Sequence, residues 1–181
     1  MSGAGDFWVR WRVRLGYPVA AIFLLLAHPS NASLILGGAI GAVGLFIRAA
    51  AAGHLRKHEE LATSGPYSYT RNPLYLGSGV LAAGVVLAGG SWLVAPLVGA
   101  YFVLFYAAVI RREERELRSK YGGTFNDYAE RVPLFFPRFR AGVDARWAFS
   151  WALYARNREY QALLGFVAGV ALLWAKMQPL R

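Results

Sequence analysis

The stretch YLGSGVLAAGVVLAGGSWLVAPLVGAYFVLFYAAVI, residues 75–110, runs for 36 consecutive positions without Asp, Glu, Lys or Arg. As a single helix it would extend roughly 54 Å, nearly twice a hydrocarbon core of about 30 Å. Two shorter crossings fit, and Gly89-Gly90-Ser91 between them is an uncharged turn of the kind that joins a helical hairpin. The whole chain of 181 residues is 56% hydrophobic and 17% charged, against about 25% charged for a typical soluble domain. The apolar runs lack the in/out alternation of barrel strands, and lipid-exposed backbone must otherwise satisfy its hydrogen bonds within helices. The chain therefore reads as an all-α, polytopic integral membrane protein forming one domain over residues 1–181.

Working outward, apolar runs bounded by turns or charge predict about five transmembrane helices: Gly16 to Ala27, Leu34 to Gly53, Leu74 to Ala88, Trp92 to Ile110, and Leu163 to Trp174. His28 to Ser33 is a second uncharged turn. Nearly all charge falls elsewhere. Residues 1–16 carry three Arg and one Asp, residues 54–74 three basic and two acidic groups, and residues 111–160 eleven basic and seven acidic. If all five spans cross, these segments share one side, and the positive-inside rule assigns that side to the cytoplasm. The last residues then end outside, unless the final apolar segment is a re-entrant or interfacial helix. Arg10, Arg12 and Arg14 before an apolar run resemble a signal peptide, but four further apolar segments follow and no A-x-A pattern succeeds Ala27, so a retained helix is predicted.

The net charge of +10 would suit nucleic acid only as an exposed stripe on a soluble domain, so no nucleic-acid partner is predicted. The absence of cysteine removes thiolate catalysis and Cys-ligated metals. His54 and His58 are spaced i,i+4 with Glu59 following, but a third dependable ligand is missing, and no metal site is predicted.

Two polar segments carry candidate chemistry. In the first, Gly65-Pro66 and Asn72-Pro73 place two rigid breaks seven residues apart, so the backbone between them is not a plain helix. Its N–H groups at membrane depth need partners, which a bound ligand could supply. Arg71 beside a membrane-entering helix is a ready counter-ion for an anionic group, whereas Tyr75 and Gly77 alone could be an interfacial anchor and a packing residue. The second segment, Arg111 to Gly122, is a charged helical extension. Most of it reads as a salt-bridged surface, but Glu113 and Glu114 sit within about a turn of the apolar span, where a carboxylate could hold a cationic ligand and Arg111 or Arg112 a carboxylate. Arg48 inside the second span is expected to point into the bundle or snorkel outward.

Thr63-Ser64-Gly65-Pro66-Tyr67, then Arg71-Asn72-Pro73-Leu74-Tyr75-Leu76-Gly77, then Glu113-Glu114 with Leu117, Tyr121-Gly122, Tyr128 and Val132-Pro133 to Pro137 together resemble the membrane methyltransferases grouped with isoprenylcysteine carboxyl methyltransferase and the phospholipid methyltransferases. The resemblance covers about residues 54–139. It implies S-adenosylmethionine as methyl donor, bound at the cytoplasmic side without a Rossmann fold, and a lipid or other lipophilic acceptor entering from the bilayer. It further implies that His54, Tyr67, Arg71, Asn72, Pro73, Tyr75 and Gly77 line the cofactor pocket, with Glu114 near the cofactor's amino group or the acceptor. Arg112, Glu113 and Glu114 are the expected catalytic residues. Eukaryotic members commonly carry His where this chain has Asn72, a departure that still supplies a hydrogen-bonding side chain. A carboxylate acceptor, already ionised, would need only an orienting Arg such as Arg112. An amine acceptor must lose a proton, which would engage a carboxylate such as Glu113. Sterol reductases share the pattern resembling Arg115 to Pro137, so a nicotinamide-dependent reductase is the rival enzyme reading, and a membrane scaffold the non-enzymatic one.

Overall fold

The computed structural model describes residues 3–57, 59–139 and 148–178. His58, and with it the His54/His58 pair, lies outside the described residues, as do Trp147 and Arg181. Among those described there are seven α-helices and no strand: α1 (Gly3–Leu26), α2 (Asn31–Ala52), α3 (Pro73–Ala88), α4 (Val94–Tyr121), α5 (Gly123–Arg131), α6 (Trp151–Arg156) and α7 (Tyr160–Met177). Three are long and apolar enough to cross a membrane, namely α2, α4 and α7. Arg14–Leu26 within α1 and all of α3 are apolar but shorter. The chain is an all-α membrane protein, and the five apolar segments expected from sequence all lie on helices.

The hairpin across residues 89–93 forms, but its arms do not pack mainly on one another. α3 lies chiefly against α2, and α4 against α1. Glycine explains the first pairing. A Cβ on Gly84 would collide with the backbone of Gly41 and Gly37, and one on Gly44 with the backbone of Leu81 and Gly77. Small residues at such spacing let helix backbones meet where the solvent is itself apolar. The charged extension expected from sequence is continuous with the span before it, so that α4 runs as one helix past Ile110 to Tyr121.

The helices share two ends. At one, Ser30 and Ser33 form a reciprocal cap on α2, Ser33 Oγ also donates to the Ala88 carbonyl at 3.1 Å, and the His28 N–H donates to the Gly89 carbonyl at 2.8 Å. Lys176 near the end of α7 joins them, its Nζ donating to the Leu25 and Ala27 carbonyls at 3.0 and 2.8 Å, where a cation complements the helix terminus. At the other end lie the end of α2, the start of α3, the charged part of α4, α5 and the start of α7. A small cluster of Phe125, Tyr128 and Val132, backed by Leu61, Leu117 and Tyr121, closes this polar end.

Candidate active site

Because α3 leans on α2 and α4 on α1, a gap opens between α3 and α4. It forms a cavity of about 1080 Å³. Its wall is polar near the charged end of α4 and apolar deeper, where α1 contributes Gly16, Tyr17 and Ala20 and α4 contributes Tyr101 and Val109.

The 65–72 segment enters this wall as a 3₁₀ turn, Gly65–Ser68, followed by Pro73 at the first position of α3. Gly65 has φ +56, and a side chain there would strike the His54 ring. The backbone groups that sequence reading left for a ligand are satisfied by the chain itself. The Tyr67 and Tyr69 N–H groups donate to the Ser64 and Pro66 carbonyls, and the Arg71 N–H donates to the Pro133 carbonyl at 2.9 Å. The Pro-rich stretch after α5 is thus the partner of the Pro-rich stretch before α3. Thr70 Oγ1 donates to the Phe135 carbonyl at 2.8 Å, and Asn72 Nδ2 to the Leu134 carbonyl at 2.9 Å.

The side chains at the mouth are paired. Arg71 Nη1 donates to the Ala129 carbonyl at 2.8 Å, and its Nε stands 2.8 Å from Glu114 Oε1 in an ion pair. That approach is too skewed for a hydrogen bond, so both atoms are buried with a coulombic partner only. The Tyr75 hydroxyl donates to Glu113 Oε1 at 2.6 Å. Arg112 Nε donates to Glu116 Oε1 at 2.7 Å one turn along α4. Tyr128 donates its hydroxyl to the Tyr67 carbonyl at 2.7 Å, and burial pushes both phenols above their ordinary range.

Of the residues predicted from sequence, Tyr67, Arg71, Asn72, Pro73, Tyr75, Arg112, Glu113 and Glu114 all line the cavity. Gly77 does not. It faces α2, where an added Cβ would meet Arg48 and the Gly44 carbonyl. His54 also stays outside the lining: Nδ1 lies 2.8 Å from the Ala50 carbonyl, and Nε2 accepts from the Ala148 N–H at 3.1 Å. The latter contacts assign the proton to Nδ1 and leave a structural histidine. Among the described residues no three His, Asp or Glu side chains converge as a metal site would require. Sequence reasoning missed Tyr106, which lines the cavity, meets Tyr75 edge-on at 5.4 Å and is backed by Phe102 stacked on it at 4.2 Å. It also left Arg48 without its partner. That partner is Glu159, 111 positions away, at a distance no spacing rule reaches.

Fold and site together define a helical membrane protein with a large polar-mouthed cavity between two spans, whose mouth carries paired carboxylates and guanidinium groups. Residues 39–124 match the model of the phospholipid methyltransferase family. The match begins inside α2, upstream of His54, and stops before the Val132 to Pro137 stretch. The chain is 36% identical over 137 residues to the nickel-cobalt-cadmium resistance protein NccN of Alcaligenes xylosoxydans xylosoxydans, covering 71% of this chain and 63% of that protein. It is 39% identical over 105 residues to the cobalt-zinc-cadmium resistance protein CzcN of Cupriavidus metallidurans, covering 56% and 47%. Similarity to the protein-S-isoprenylcysteine O-methyltransferase of Schizosaccharomyces pombe is 31% over 81 residues, 45% of this chain and 34% of the enzyme. The chain thus spans from about a third to under two thirds of these relatives. No solved structure matches it.

Proposed function

We propose that this chain is a membrane methyltransferase that takes its methyl group from S-adenosylmethionine and passes it to a lipophilic acceptor reached from the bilayer, with the polar end facing the cytoplasm. One observation carries the reading: Arg71–Glu114 and Tyr75–Glu113 converge on one cavity within the segment that matches the family. The residues present suit the donor. Its amino-acid end carries an ammonium and a carboxylate, and the Arg71–Glu114 pair in the cavity wall offers a carboxylate and a guanidinium of matching sign. At about 1080 Å³ the cavity is at the upper limit of the roughly 300–1000 Å³ usual for small-molecule sites, leaving room for a second reactant.

When bound, the donor would supply an electrophilic methyl on a sulfonium. The chain's own residues position and desolvate. Arg71 and Glu114 would hold the amino-acid end, and the Tyr75 and Tyr106 rings would wall off water on the α3–α4 side. For an amine acceptor, Glu113 would take the proton while Tyr75 fixes its orientation. For a carboxylate acceptor, Arg112 would orient the anion and no base is needed. The apolar depth beside Tyr101 and Tyr17 suits a hydrocarbon chain.

Calorimetry with S-adenosylhomocysteine on detergent-purified protein tests the donor. Saturable binding is expected, weakened at least about tenfold by Arg71→Ala or Glu114→Gln; no binding to the unaltered protein overturns the reading. Radiolabelled donor with a total lipid extract tests the acceptor, since a methyl ester is released by mild base and an N-methyl group is not. The likeness to NccN favours a further reading, that the methylation serves metal tolerance. A host deprived of the gene would lose tolerance to nickel, cobalt or cadmium, and the Arg71→Ala form would not restore it.

A further inference from the structure

Arg48 lies about one turn before the end of α2, inside a span, where a cation requires a partner. Its Nε and Nη2 donate to both carboxylate oxygens of Glu159 at 3.0 and 2.8 Å, and its Nη1 donates to Ser78 Oγ. Arg48 and Ser78 line the cavity, whereas Glu159 is not among the lining residues and is the more buried of the pair, 9% exposed against 21%. The carboxylate stands behind the guanidinium.

Considerable structure holds Glu159 there. The preceding Arg158 has φ 56, a left-handed conformation rare for a residue with a side chain and kept only where its surroundings enforce it. Asn157 Nδ2 donates to the Ala52 and Leu55 carbonyls at 3.0 and 2.9 Å, and the Ser150 N–H donates to the Gly53 carbonyl at 3.0 Å. The turn between α6 and α7 is therefore fastened to the end of α2, and it delivers one carboxylate to one cavity-wall arginine. Glu159 lies outside the segment that matches the family.

We propose that Glu159 is a positioning residue that neutralises Arg48 in the cavity wall, so that the cavity accepts a cationic donor. The proposal rests on the methyl-transfer reading above. An uncompensated guanidinium in a partly desolvated wall opposes a sulfonium, but acts far less on the uncharged thioether of S-adenosylhomocysteine. The ratio of the two affinities therefore reports the wall charge, whereas a merely structural role for Glu159 moves both ligands together.

The experiment compares binding of S-adenosylmethionine and S-adenosylhomocysteine to the full chain in detergent, without acceptor. Glu159→Gln is expected to weaken the sulfonium ligand about tenfold more than the thioether. Exchanging the pair, Arg48→Glu with Glu159→Arg, turns a carboxylate to the cavity and is expected to raise the preference for the sulfonium above that of the unaltered chain. The variant that keeps the original melting temperature and a monodisperse elution decides. Equal weakening of both ligands, or an unchanged ratio, overturns the proposal. Failure of the unaltered chain to bind either ligand overturns the methyl-transfer reading instead.

Discussion

The Tyr128 hydroxyl reaches back 61 positions to the Tyr67 carbonyl and ties α5 to the turn that opens α3. Tyr128→Phe removes that donor and leaves a buried carbonyl unsatisfied, which costs about 1–3 kcal/mol. A lowered melting temperature in detergent, with the helical signal intact, is the expected result. The same burial sets a pH dependence. Both phenols are pushed up from their ordinary value, so above about pH 10 the unfolded chain sheds protons that the folded chain keeps. Their contribution is complete below that pH and declines as pH rises beyond it, and Tyr128→Phe should flatten the fall in melting temperature between pH 9 and 11 measured against the unaltered chain, on the order of one group's worth. At this scale the sequence picked out most of the polar residues that line the cavity but not the partners they hold. Tyr67, Arg71 and Glu114 were legible as chemistry because they sit beside breaks and span ends. Asn72 was read as a pocket residue, and it does line the cavity, yet its amide is spent on the Leu134 carbonyl. His54 was legible only as a histidine, since its partner Ala148 lies beyond any local pattern.

Helix existence followed from charge gaps and helix pairing did not. Two apolar spans joined by a short turn invite the inference that they pack together, yet α3 belongs to α2 because Gly37, Gly41 and Gly44 confront Gly77 and Gly84 backbone to backbone. That seam could have been read from the three- and four-residue glycine spacing on α2; the opposing Gly77 was instead assigned to the site. The seam is what opens the cavity, because α3 cannot lean on both neighbours. Gly84→Val would insert two methyl groups and a Cβ against the Gly41 backbone, where neither helix has a side chain to move aside. Overpacking of this kind costs about 1–3 kcal/mol or more. The expected readouts are a lower melting temperature and loss of S-adenosylhomocysteine binding together. Gly99→Ala on α4 is the control, since a Cβ there meets nothing within 4 Å and helix propensity favours alanine by about 1 kcal/mol.

Across the whole molecule, α7 decides how many times the chain crosses. From sequence its last apolar segment, Leu163 to Trp174, was either a fifth span or a re-entrant or interfacial helix, because it is short against a bilayer. The contacts at its two ends favour a full crossing. Glu159 meets Arg48 at the polar end, and Lys176 meets the Leu25 and Ala27 carbonyls at the far end, beside the turn that starts α2. A helix anchored at both ends of α2 traverses the same depth that α2 does. The absence of cysteine makes this testable, since any single introduced thiol is the only one in the chain. Ser119→Cys in the charged part of α4, Ser30→Cys in the first turn and Gln178→Cys after α7 would be placed in turn and treated with a membrane-impermeant maleimide in sealed, oriented vesicles. Charge asymmetry predicts that Ser119→Cys labels from the cytoplasmic side. The end contacts predict that Gln178→Cys labels with Ser30→Cys from the opposite side. Labelling of Gln178→Cys together with Ser119→Cys would make α7 re-entrant and overturn the fifth crossing.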